Sequence, residues 1–176
     1  FLVEKTQEDL EAVSADLCTV LKLALTDFDA MREREGERLC RDVLDRAATI
    51  EGLTKQVADR APGIVADYRA RLWSKMSEVL QNTQLDESRI LTEAAIYADK
   101  VAVDEELVRL HSHLSQLRDM LRGDEPVGRK LDFLIQEINR ECNTIGSKCS
   151  DLTITQDVVN MKAEVEKIRE QVQNIE

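Results

Sequence analysis

The chain contains very few residues that break helices. Its 176 residues include only two prolines and six glycines, well below the average usage of both. Aromatic residues are also scarce, at 3%, and strand-like runs of β-branched residues are almost absent. Because 34% of the residues are charged, this composition indicates long helices rather than a mixed α/β domain.

The sequence also lacks the marks of a membrane or secreted protein. No apolar run approaches the ~20 residues that span a bilayer, and no signal peptide is visible. The four cysteines (Cys18, Cys40, Cys142 and Cys149) show neither a CxxC spacing nor a compact disulfide framework. We therefore expect a reduced, cytoplasmic protein.

Common catalytic motifs are missing as well. The sequence has no GxxxxGKS phosphate loop, no GxGxxG fingerprint, no HExxH and no GxSxG. Its two histidines, His111 and His113, do not form a recognisable triad pattern. The chemistry that remains is that of carboxylates with cations.

Apolar residues recur at three- and four-residue steps along the chain, as helices require. The spacing predicts one helix from about residue 7 toward residue 58, opened by a capping box at Thr6 and Asp9. The Ala61-Pro62-Gly63 tripeptide predicts a break and a second helix toward Leu80. Further helices are expected from Asp86 to about residue 100, from Asp104 to about 121, from about 127 to 145, and from Thr153 or Thr155 onward.

These elements predict an all-α fold of long antiparallel helical hairpins with a C-terminal helical bundle. Residues 1–82 are expected to form a helical hairpin arm, after a strand remnant at residues 1–4, and residues 83–176 a C-terminal helical domain. The last helix carries an apolar stripe typical of a coiled-coil or subunit contact, made of Val158, Met161, Val165, Ile168 and Val172.

The segment from Gly128 to Lys148, GRKLDFLIQEINRECNTIGSK, combines an apolar stripe with seven charged side chains. At helical spacing, Glu137 and Glu141 share a face that differs from the apolar one. The presence of Asn139 and Asn143 one turn apart in a helix needs an explanation other than helix propensity, because Asn is a weak helix former. The residues alone leave open whether this helix is a surface-and-interface helix or carries a polar site. The apolar stripe consists of Leu131, Leu134, Ile135, Ile138, Cys142 and Ile145.

This segment and the terminal VVNMKAEVEKIREQVQNIE closely resemble the C-terminal signature of the YicC/YloC family of bacterial proteins. The similarity extends through MREREGERL (31–39), LDESRILTEAAIYADK (85–100) and EELVRLHSHLSQLRDML (105–121). The resemblance implies a metal-dependent endoribonuclease that acts on structured RNA and assembles as a ring-like homo-oligomer, a hexamer. It also implies a further N-terminal region, so we expect this chain to be a C-terminal fragment. Other RNA-decay enzymes are candidate partners; no membrane or DNA partner is expected.

Divalent cations held by Asp and Glu oxygens, with Lys or Arg clamping the phosphate, suit RNA cleavage. Residues 128–148 and 93–113 supply such side chains, and matching the family signature makes them site candidates. Glu106, Arg109 and His113 share one helical face, which places His113 to bind a metal or to transfer protons near neutral pH. The expected catalytic residues are Asp132, Glu137, Glu141 and His113; the expected ligands of Mn²⁺ or Mg²⁺ are Glu106, Asp132, Glu137 and Glu141; the expected RNA-binding residues are Arg109, Arg129, Lys130, Asn139, Arg140, Asn143 and Lys148; Glu93, Asp99, Lys100 and Glu105 are further candidates.

The formal net charge of −11 opposes nonspecific nucleic-acid binding, because phosphate-binding proteins normally present a basic surface. Charge can segregate, however, and a bound cation reverses the local sign. A non-catalytic helical scaffold that recruits RNA-decay proteins therefore stays open as the alternative function. A close grouping of Asp132, Glu137, Glu141 and His113 would favour the enzyme, and scattered carboxylates would favour the scaffold.

Overall fold

The computed structural model describes residues 10–80, 87–123 and 128–173. Within these ranges the secondary structure is helical, without strands, and the predicted all-α fold class is confirmed. The expected strand at residues 1–4, the capping box at Thr6 and Asp9, the helix start at Asp86 and the domain boundary at 82/83 lie outside the described residues. The helices are α1 (Leu10–Leu80), α2 (Glu87–Val101), α3 (Asp104–Arg122), α4 (Gly128–Lys148) and α5 (Leu152–Val172).

The first helix is longer than the sequence predicts. α1 runs for 71 residues with Pro62 inside it, so it is one helix where two antiparallel helices were expected. An interior proline removes a backbone hydrogen bond and clashes with the preceding turn, at a cost of about 3 kcal/mol. Val57 and Ile64, on either side of Pro62, are both buried. Packing on both sides of the proline therefore outweighs the local breaking signal.

The chain divides into two compact units, Phe1–Arg41 and Asp42–Glu176. In the first unit, the described part of α1 exposes many of its large apolar side chains. The exposed apolar residues of the first unit are Leu10, Val13, Leu17, Val20, Leu21, Leu23, Leu25, Phe28 and Met31.

None of the described helices combines the length and apolar character needed to cross a membrane.

The core of the second unit lies between the later part of α1 and helices α3, α4 and α5. α4 packs against both α3 and α5, and its predicted apolar stripe is buried as expected. The predicted stripe of α5 is buried in this same core, so it serves the fold of the chain itself rather than a subunit contact. Fully buried residues include Val43, Ala47 and Ile50 from α1, Leu110, Leu114 and Leu117 from α3, and Ile154, Met161 and Ile168 from α5.

α4 continues past the end expected near residue 145 and ends at Lys148. A side chain added at Gly146 would place its Cβ 3.0 Å from Val158 Cγ1 of α5. The glycine therefore lets the two helices approach closely and does not end either of them. This continuation brings Lys148 onto the same helix as Glu137 and Glu141.

Candidate functional site

Three side chains from α3 and α4 come together as a candidate metal-binding group. His113 of α3 and Glu137 and Glu141 of α4 each place one potential ligand atom within 4.8 Å of the other two. The two glutamates are one helical turn apart, so their side chains are neighbours on the same face of α4. Among the residues that the structure describes, no other set of three or more His, Cys, Asp or Glu meets this spacing.

Two polar atoms in this group are buried without a hydrogen-bond partner. They are Oε2 of Glu141 and Nδ1 of His113. Leaving a buried polar atom unpaired costs about 1–3 kcal/mol, and native proteins pair most such atoms. Glu137 is more accessible, with 27% of its side chain exposed. The group therefore has unused ligand atoms in its interior and one carboxylate toward solvent.

The second oxygen of Glu141 is held by α3. Arg109 Nε donates a hydrogen bond to Glu141 Oε1 at 2.9 Å, and its Nη2 donates to Glu106 Oε1 at 2.8 Å. Its Nη1 lies 2.9 Å from Glu105 Oε1. The hydrogen bond to Glu141 is the main cause that raises the pKa of the Arg109 guanidinium. Arg109 was expected to bind RNA, but its guanidinium contacts three carboxylates.

Glu106, expected to bind metal, lies outside the three-residue group with both oxygens engaged. Oε1 accepts from Arg109, and Oε2 accepts from Lys148 Nζ at 2.9 Å. Lys148 Nζ also donates to the carbonyl oxygen of Ala102 at 2.9 Å. Burial raises the pKa of Glu106, but the hydrogen bond and charge of Lys148 and the charge of Arg109 outweigh it, so the net shift is downward.

The other expected acid, Asp132, is also separate from the group. Its Oδ2 accepts a hydrogen bond from Gln136 Nε2 at 3.0 Å. The structure therefore gathers three of the four expected catalytic residues, and it leaves Asp132 on another face of α4.

The predicted RNA-binding amides lie along a shallow polar groove on α4. The groove has a volume of about 430 Å³ and is lined by Gln136, Asn139, Arg140, Asn143, Thr144 and Ser147. Arg140 connects it to the candidate metal-binding group, because its Nη1 lies 3.7 Å from Glu137 Oε2. Arg129 and Lys130 are exposed on the first turn of α4, away from the groove.

Sequence reasoning missed Gln136, Thr144 and Ser147 as groove residues. Their spacing relative to Asn139, Arg140 and Asn143 places them on one helical face, so the helical period could have identified them as groove residues. His111 is exposed, and its Nδ1 lies 3.3 Å from Glu51 Oε1.

Comparison with known proteins identifies the family. Residues 57–176 match the family model described as "Endoribonuclease YicC-like, C-terminal". A protein of Clostridioides difficile (strain 630) named "Probable endoribonuclease YicC" is 43% identical over 175 residues, and one of the same name from Haemophilus influenzae (strain Rd) is 40% identical over 175 residues. The alignments cover 99% of this chain and 60% of each relative, so the chain spans about three fifths of the relatives' length. The chain belongs to the YicC-like endoribonuclease family.

Proposed function

We propose that the protein acts as a metal-dependent endoribonuclease on structured RNA, with His113, Glu137 and Glu141 as its metal-binding group. The observation that carries the proposal is the pair of buried, unpartnered atoms, Glu141 Oε2 and His113 Nδ1, beside a third potential ligand. Unsatisfied polar atoms call for a specific explanation in a native structure. A divalent cation bound by all three side chains would satisfy both atoms at once.

The donor set fits a divalent transition metal. Two carboxylates suit either of the expected ions, but an imidazole nitrogen favours a transition metal over Mg²⁺. Mn²⁺ is therefore the better match of the two. When bound, such a cation supplies positive charge that stabilises the scissile phosphate and makes an attacking oxygen easier to deprotonate.

The chain's own residues bind and orient the RNA. Arg140, with 74% of its side chain exposed and its guanidinium beside Glu137, is placed to clamp a phosphate through paired N–H groups. The carboxamides of Gln136, Asn139 and Asn143 both donate and accept hydrogen bonds. They suit the 2′-hydroxyls and base edges by which structured RNA is recognised.

We also propose that the protein is a homo-oligomer, with the hexamer implied by the family resemblance as the expected state. The exposed apolar side chains of the first unit support this proposal, because contiguous apolar surface marks interaction sites. A cytoplasmic location is proposed as well. The four free cysteines support it, since reducing compartments keep thiols reduced.

The test is cleavage of a labelled RNA hairpin in the presence of Mn²⁺, Mg²⁺ or EDTA. We expect cleavage with Mn²⁺, less with Mg²⁺ and none with EDTA. The Glu137→Gln/Glu141→Gln variant should lose more than about 100-fold in cleavage rate. Mutating even the residues that hydrogen-bond to metal ligands lowers metal affinity or activity about 10–100-fold. The matched control is Glu166→Gln on α5, a carboxylate 3.7 Å from Arg169 and outside the group.

Circular dichroism establishes that each variant is folded. Equal cleavage by the double variant and the wild type would contradict the assignment of the site. No cleavage by the wild type under any condition would favour the scaffold function instead.

A further inference from the structure

Four charged residues join α3 to α4 beside the candidate metal-binding group. Lys148 Nζ of α4 lies 2.9 Å from Glu106 Oε2 of α3. Glu106 Oε1 lies 2.8 Å from Arg109 Nη2, and Arg109 Nε lies 2.9 Å from Glu141 Oε1 of α4. The chain of contacts thus leaves α4, passes through two residues of α3 and returns to α4. We name Lys148, Glu106, Arg109 and Glu141 the ion-pair tetrad.

Both acids of the tetrad are almost excluded from solvent. The side chain of Glu106 is 4% exposed and that of Glu141 is 6% exposed. Removing carboxylates from water is costly, and apolar side chains of similar volume often stabilise a fold as well or better than a buried ion pair. The stability of the bundle therefore does not by itself require the tetrad. A need to hold side chains in a fixed geometry does require it.

Arg109 fixes the orientation of Glu141. Its Nε binds Glu141 Oε1, so the other oxygen of this planar carboxylate is directed away from Arg109. That other oxygen, Oε2, is the one buried without a partner. The guanidinium is itself fixed by Glu106 and Glu105 at its two terminal nitrogens. Only arginine offers this rigid, forked set of donors.

Lys148 supplies the second tie between the helices. Its ammonium binds Glu106 and also the carbonyl oxygen of Ala102, in the connection between α2 and α3. This contact opposes sliding of α4 along α3. Since His113 lies on α3 and Glu137 on α4, the same contact maintains the separation of the potential ligands.

We propose that Arg109, supported by Glu106 and Lys148, is a positioning residue that presents Glu141 Oε2 to a divalent cation shared with His113 and Glu137. This inference rests on the proposed function. It assigns Arg109 to the support of a ligand rather than to RNA contact, because each of its three guanidinium nitrogens contacts a carboxylate. Residues that hold metal ligands in this way typically change metal affinity by 10–100-fold when mutated.

The test measures Mn²⁺ affinity directly, without RNA, by following free Mn²⁺ with electron paramagnetic resonance during titration. Arg109→Lys keeps the positive charge but loses the fork, and we expect Mn²⁺ binding to weaken by about 10–100-fold. The matched control is Arg46→Lys. Arg46 also joins two helices, through Glu164 of α5 at 2.9 Å, but it is not part of the tetrad. Its Mn²⁺ affinity should stay within about twofold of wild type, as expected for independent sites.

Thermal unfolding without metal separates stability from positioning. Arg109→Lys and Arg46→Lys should each lower the midpoint, while only Arg109→Lys weakens Mn²⁺ binding. If Arg109→Lys does not fold, Glu106→Gln takes its place, because it leaves Arg109 in contact with Glu141 and removes the negative charge that Arg109 and Lys148 share.

The outcomes distinguish the two proposals. Mn²⁺ binding by wild type that is equally tight in Arg109→Lys, or in Glu106→Gln where that variant is used, would overturn the positioning role and leave the proposed function standing. Failure of the wild type to bind Mn²⁺, or binding unchanged in His113→Ala, would overturn the metal-dependent function and this inference with it.

Discussion

At the scale of residues, the two glutamates of the candidate site have different surroundings. Glu141 is buried and bound by Arg109, whereas Glu137 is partly exposed and lies near Arg140. Fixing a side chain that is already held by a neighbour costs little further conformational entropy. In the proposed site, Glu141 is therefore the fixed ligand, and Glu137 is the one with freedom to turn between a cation and Arg140.

Cys142 provides a residue-scale test of the packing of α4. Burial raises the pKa of its thiol to about 12, and only the thiolate reacts with alkylating agents. At pH 8 we expect iodoacetamide to modify Cys18, which is exposed, at least about 100-fold faster than Cys142. Peptide mass mapping over a time course measures both rates.

Unfolding the protein in urea is the control, because both cysteines should then react alike. Equal rates in the native protein would show that the α4 face carrying Cys142 is open to solvent.

Part of the candidate site was predictable from single residues and their spacing. Glu137 and Glu141 fall on one face of α4, and Arg109 and His113 on one face of α3, because both pairs depend only on the period of one helix. The meeting of Lys148 with Glu106, 42 positions apart, depends instead on how two helices pack. Sequence spacing therefore predicted the candidate metal-binding group only in part. It also assigned Glu106 and Asp132 to the group, and the structure places both outside it.

At the scale of elements, Pro62 in α1 offers a stability test. Pro62→Ala restores a backbone N–H that can donate to the carbonyl of residue 58, and it removes the clash of the ring with that turn. We expect the free energy of unfolding to rise by about 1–3 kcal/mol, since the greater entropy of the unfolded chain offsets part of the gain. Urea denaturation followed by circular dichroism measures it.

Two glycines provide the comparison. A Cβ at Gly52 meets nothing within 4 Å, so Gly52→Ala should raise the free energy of unfolding by about 0.5–1 kcal/mol. Gly146→Ala should add less or destabilise, because its Cβ meets Val158. A Pro62→Ala variant less stable than wild type would show that the backbone of this turn requires proline.

The elements themselves were largely predictable. The periodic apolar residues of α4 and α5 indicate these helices because their buried stripes are long and regular. The continuity of α1 was not predictable, because Pro62 and Gly63 are strong local signals and the burial of Val57 and Ile64 is known only from the folded core. α5 starts at Leu152 rather than at Thr153 or Thr155, because Asp151 caps it by accepting from the amides of Thr153 and Ile154. Asp and Thr are both good N-caps, so residue type alone does not choose between them.

At the scale of the whole molecule, interhelical ion pairs predict a loss of stability in acid. The hydrogen bond from Arg118 lowers the pKa of Glu51 below 4.5, and that from Arg60 lowers the pKa of Asp151 below 3.8. The folded protein thus binds these protons more weakly than the unfolded chain does. The stabilisation is complete above about pH 5 and is lost as the pH falls through 4.5 and then through the lowered values.

We expect urea midpoints that are flat from about pH 7 to pH 5 and decline below that. Glu51→Gln, which removes one titrating group, should show a shallower decline. A stability that rises between pH 5 and pH 3 would contradict the assignment of these ion pairs.

The position of α4 between α3 and α5 has a consequence for its backbone amides. A helix covered on two sides opens to hydrogen exchange only when a large part of the fold opens with it. We therefore expect the polar groove from Gln136 to Ser147 to lie on one of the slowest-exchanging segments of the second unit. A binding partner then meets a surface whose shape is set before contact, and most of the loss of conformational freedom falls on the partner.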